Sequence, residues 1–153
     1  MRGHVVSGVL GVVAVSLLGS APALAAPPES AQASFETQAC GFPVQVEITG
    51  KTKFIEHGDG LITLGPAQKA TLTSTTTGES ITVSLAGAFH EKVSPDGDLV
   101  GKATGHNVFG SVSGREGLTY TTGSVSYIQD AETGVLTITS PSAKIINLCE
   151  LLA

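Results

Sequence analysis

An all-β fold, a small antiparallel meander closed into a β-barrel, is what this sequence predicts. Three observations lead there. Apolar and polar residues alternate over short runs, and helical periodicity is nearly absent; a period of two marks strands that bury one face. Turn-forming clusters separate those runs, among them Gly58-Asp59-Gly60, Thr76-Thr77-Gly78, Pro95-Asp96-Gly97-Asp98 and Glu132-Thr133-Gly134, so neighbours in sequence pair as hairpins and no helical crossover fits between them. Finally, two cysteines, Cys40 and Cys149, stand at the two margins of the alternating region.

Taken in order, Val44, Val46 and Ile48 alternate with Gln45, Glu47 and Thr49. Residues 51–57 and 61–64 flank the first turn, and 69–75 follow. Ile81, Val83, Leu85 and Phe89 alternate with Thr82, Ser84, Ala86 and His90. Residues 99–109 and 118–127 flank Gly114-Arg115-Glu116-Gly117. Leu136 with Ile138, then Ile146 with Leu148, complete eight or nine strands. In 118–127 the apolar parity slips between Leu118/Tyr120 and Val125/Tyr127, which predicts a bulge or bend at Gly123 that would restore both pairs to one face. Thr-Gly pairs at 49–50, 77–78, 104–105, 122–123 and 133–134 follow no fixed period and read as turns or bends.

A disulfide between Cys40 and Cys149 would tie the first strand to the last. Bridged Cα atoms lie within ~7 Å, so the ends of the meander must meet. That favours the barrel over a two-sheet β-sandwich, the runner-up. A redox pair or metal site fits poorly, since there is no C-x-x-C and no third cysteine.

The first residues have the order of a secretory signal peptide: Arg2, an apolar run from Val5 to Leu18, then Ala23-Leu24-Ala25. The run is shorter than the ~20 residues of a spanning helix. Residues 1–25 are read as the signal, residues 26–39 as a flexible leader and residues 40–150 as a single β domain. From Ala26 onward, the eight Lys/Arg less Arg2 leave seven against thirteen Asp/Glu, a formal charge of −6. That suits a secreted, extracellular protein with no membrane attachment and argues against nucleic acid as partner.

Chemistry is sparsely signalled. His57, His90 and His106 show no metal-ligand spacing such as H-x-H or H-E-x-x-H. Asp96-Gly97-Asp98 departs from a calcium loop at Val100 and reads as a turn. No cofactor or metal site is expected. His106 and Asn107 beside Gly105, with Tyr120 and Tyr127, are the candidate binding residues. An extracellular barrel enzyme of isomerase, cyclase or hydrolase type would need at least two of His57, His90, His106, Asp59, Glu56 and Glu91 to converge.

The stretches "ACGFPVQVEITGKTK" (39–53), "LAGAFH" (85–90), "ATGHN" (103–107) and "CELLA" (149–153) resemble a group of small secreted actinobacterial proteins of uncharacterised function. The resemblance implies a bacterial, extracellular origin and supplies no activity, cofactor or catalytic residue. The functional expectation is a secreted, non-catalytic β-domain that binds a small apolar ligand or a protein surface.

Overall fold

The alternating runs form nine strands in the computed structural model, which describes residues 26–153. Residues 1–25, read above as a signal peptide, lie outside the described residues. The strands are β1 (Glu29–Thr37), β2 (Val44–His57), β3 (Gly60–Leu64), β4 (Lys69–Ser74), β5 (Ser80–Ser84), β6 (Gly87–Val93), β7 (Leu99–Phe109), β8 (Thr119–Gln129) and β9 (Leu136–Asn147), with a 3₁₀ turn at Leu148–Leu151. All their ladders are antiparallel. Hydrogen bonding follows the path β5-β4-β2-β3-β6-β7-β8-β9, and β1 pairs with β2.

β3 and β4 are two halves of one line along β2: Leu64 sits opposite Lys53, and Lys69 opposite Thr49. Between them, residues 65–68 bulge against 50–52, held by the Gln68 amide, which donates to Thr52 Oγ1 at 2.7 Å. The β5–β6 line breaks at the same level, at Leu85–Ala86. A crease crosses the sheet there. Gly87, Gly105 and Gly123 stand directly opposite one another, and both Gly105 (φ 80°) and Gly123 (φ 123°) take positive φ, which side chains resist. A Cβ on Gly105 would approach the Ala86 carbonyl oxygen to 2.7 Å, and one on Gly123 the Ser142 carbonyl to the same distance. The Thr-Gly pairs at 104–105 and 122–123 thus bend strands, while those at 77–78 and 133–134 lie in the connections after β4 and before β9.

The crease gives the molecule two cores, on opposite faces of the β7–β8 ribbon. In the first, Val44, Val46, Ala70 and Leu72 pack with Val108, Leu118, Leu148 and Leu152. In the second, Ala103, Phe109, Val112, Tyr127 and Leu136 pack with Phe89 and Ile138. Alternation explains the split: Val108 and Phe109 are adjacent and point opposite ways.

Four expectations are corrected. The sheet is not closed: the hydrogen-bonded path ends at β9 and does not return to β1 or β5, so no ladder forms the expected barrel. The ends meet instead through Cys40–Cys149, whose Cα atoms are 5.3 Å apart. The pairing is the one expected, with Cys40 in the β1–β2 connection and Cys149 in the 3₁₀ turn after β9. Residues 29–37 are a strand, not part of a flexible leader. Ala31, Ala33 and Phe35 turn inward, and alanine carries little β signal. The buried Leu152 takes the domain past residue 150. At Gly123, β8 bends without a bulge, and the bend does not bring both apolar pairs to one face. Thr119, Thr121, Val125 and Tyr127 are buried in regular alternation, and the register shift falls between Ser126 and Tyr127 on the β8–β9 ladder. The parity change is real, because Leu118 and Tyr120 pack in the first core while Val125 and Tyr127 are buried on the opposite face.

Candidate functional site

The four candidate residues separate into two pairs. On one side of the β7–β8 ribbon, the Tyr120 hydroxyl and His106 Nδ1 share a hydrogen bond of 2.9 Å. The rings stack with centroids 6.1 Å apart and planes 19° from parallel. Burial raises the Tyr120 phenol above its ordinary range, because ionisation there loses hydration. The pair sits where β7 leaves β5 behind, and Tyr120 packs against the first core.

Asn107 and Tyr127 face the other way, into the interior. The Tyr127 hydroxyl donates to Glu91 Oε1. Burial first, then the bond to Glu91 and its charge, push the Tyr127 phenol far above its ordinary range. Its ring lies flat on Gly101, where a Cβ would fall inside the ring's van der Waals envelope. The Asn107 amide donates to the Thr104 carbonyl at 3.1 Å. Asn107 Oδ1 and the Oγ1 of Thr121, which stands directly opposite, have no hydrogen-bond partner although buried.

The histidines occupy separate places. His57 ends β2 opposite Gly60, and His90 lies between Ile62 and Lys102 on the solvent side of β6. Glu56 and Glu91 are separated by Leu61, which pairs with both, and Asp59 lies in the turn before β3. Among the described residues, side-chain hydrogen bonds join candidate to candidate at His106–Tyr120 and Glu91–Tyr127. Among the described residues no three His, Cys, Asp or Glu side chains form a group that could hold a metal ion. In the 95–98 turn the Asp98 carboxylate accepts from the Ala131 N–H at 3.1 Å, tying that turn to the β8–β9 connection.

Two surface features were not anticipated. A shallow, open groove of about 380 Å³ runs along the crease, lined by Leu64, Pro66, Ala86, Ala88 and Thr104. Beyond it the β2–β3 hairpin exposes Phe54 (42%), Ile55 (36%) and Leu61 (36%). Among the described residues Lys53–His57 pairs on one edge only, because the β1 ladder stops at Glu29–Thr52, directly after Pro27-Pro28. The signal was present in the sequence: Phe54 and Ile55 are consecutive, and a strand must show one of them to each face. The groove had no comparable signal, since it depends on three segments, 64–66, 86–88 and 104–105, meeting at the crease. No protein-family model, curated protein or solved structure matches the chain.

Proposed function

We propose that the chain is an extracellular, non-catalytic β-domain of actinobacterial origin, exported by cleavage after Ala25, that binds a protein surface through the β2–β3 hairpin. In this reading the creased sheet is a barrel that the disulfide, rather than a last ladder, draws shut. The observation that carries the binding role is the exposure of Phe54, Ile55 and Leu61 beside the Lys53–His57 edge, which no strand among the described residues covers. Soluble domains normally blunt such edges, and an extended segment of a partner gains main-chain hydrogen bonds by adding there. The filled interior supports the choice between the two ligand classes: Phe109, Tyr127, Leu72 and Leu118 are all less than 2% exposed or within a percentage point of it.

A photo-crosslinking residue at Ile55, in protein exported by its own cell, tests the proposal. One adduct band is expected, lost when Phe54 and Leu61 are both replaced by serine. Equal crosslinking from exposed Thr82 on β5 would refute it. A small apolar molecule retained in native mass spectrometry would move the binding role to the crease groove.

A further inference from the structure

We propose that the solvent face of β2, β3, β6, β7, β8 and β9 is a docking surface for a linear acidic glycan. Strand register defines this face. Its central row runs Ile55–Ile62–His90–Lys102–Ser126–Ser140. The row toward the crease begins at Lys53, and the row away from it contains His57 and Lys92. Lys144, opposite Thr122, lies just past the crease on the same side. Four lysines and two histidines therefore share one face.

None of the three rows contains an aspartate or a glutamate. Yet from Ala26 onward the chain has thirteen acidic residues to seven basic ones. The nearby carboxylates of Glu56 and Glu91 belong to the opposite face of the same strands. Solubility does not require this segregation, and it has a cost. Lys102 pairs with the residue two before Lys92 on β6, so the two lysines stand diagonally across the β6–β7 ladder. Like charges so placed destabilise a ladder. An anionic partner turns that repulsion into attraction.

The geometry selects the kind of anion. Strands lie about 4.8 Å apart, so the five spacings from β2 to β9 spread the cations over roughly 24 Å, which suits a polymer rather than a single ion. No aromatic side chain lies in the three rows, so there is no stacking platform for bases or neutral sugars. Hydroxyls of Thr104, Ser124, Ser126 and Ser140 lie between the lysines and offer hydrogen bonds to sugar hydroxyls. The crease groove, floored by Leu64, Ala88 and Thr104 from the row that Lys53 begins, gives a chain a track to follow.

The test uses the mature chain and immobilised polygalacturonate, with long-chain polyphosphate and duplex DNA as competing probes. Binding to polygalacturonate that weakens with added salt is expected. Replacing Lys92 and Lys102 by glutamine should weaken it roughly tenfold, the scale of two surface charge contacts. Arg115→Gln, in the exposed β7–β8 connection, should change nothing. Both lysines are exposed, so circular dichroism should show an unchanged β signature; if the double variant unfolds, the single variants carry the test. Absence of binding, an equal loss in Arg115→Gln, or tighter binding to polyphosphate or DNA would overturn the proposal.

Discussion

The core beneath β1, β2 and β4 is closed by a covalent bond, whereas the core on the other face of β7 and β8 is held by side-chain packing around a set of aromatic rings. In the first, Cys40–Cys149 joins positions 109 residues apart. Gly117 packs on the Cys149 sulfur, and the Leu118 N–H donates to it at 3.2 Å. In the second, Phe109 meets Phe89 and Tyr127 edge-on, with centroids 6.0 and 5.5 Å away. The difference follows from connectivity. The second core rests on the β6–β9 ladders, whose strands are sequence neighbours. The first brings together elements from the two ends of the chain that no ladder joins, and closing so long a loop costs the most entropy.

The largest effect should come from the aromatic core. Tyr127→Ala removes the ring that covers Gly101 and is expected to destabilise by about 3–5 kcal/mol in chemical denaturation. Replacing Cys40 and Cys149 together by serine should cost about 2–5 kcal/mol while keeping the β signature. A loss similar for both variants, with identical unfolding transitions at every probe, would mean that the two cores behave as one unit.

Next comes the strand that the sequence concealed. Beginning the chain at Gln38 removes β1, uncovers the edge of Val44–Thr52 and exposes the packing site of Phe35. A loss of roughly 2 kcal/mol is expected, the scale of one buried aromatic side chain. No change in the denaturation midpoint would show that β1 is dispensable to the first core.

The smallest effect concerns alkaline pH. The Tyr127 phenol is raised in the folded state, so its contribution is complete below the ordinary phenol range. As pH climbs past about 10, the unfolded phenol ionises while the folded one stays protonated, and stability declines. Tyr127→Phe should lower stability at neutral pH by about 1 kcal/mol, the worth of a hydrogen bond, and flatten the alkaline decline. Tyr120, also raised, should leave a residual slope. An unchanged slope in Tyr127→Phe would place the buried phenol's influence elsewhere.

What could be read in the sequence was local. Val44, Val46 and Ile48 spell out a strand because branched apolar residues alternate with polar ones, and the two cysteines pair because no other partner exists. Thr119 and Thr121 misled, since their small side chains are buried where larger apolar residues were sought. Ala31 and Ala33 hid a strand for the same reason. The crease was half legible. Individual Thr-Gly pairs indicated bends, but the alignment of Gly105 and Gly123 with Gly87 across three strands depends on register, which single-strand patterning does not fix. The candidate surfaces share that limit. His106 and Tyr120 meet because β7 and β8 pair, and the carboxylate-free face emerges only once six strands are set side by side.

Native-state hydrogen exchange on the oxidised and reduced protein tests most directly whether the staple, and not a ladder, holds the ends together. The account predicts that reduction speeds exchange in β1, in Val44–Thr49 of β2, in β4 and in the 3₁₀ turn, while β6 and the Leu99–Ala103 half of β7 keep their protection. Unchanged protection in β2 and the 3₁₀ turn after reduction would contradict it, because those elements would then be joined by contacts other than the disulfide.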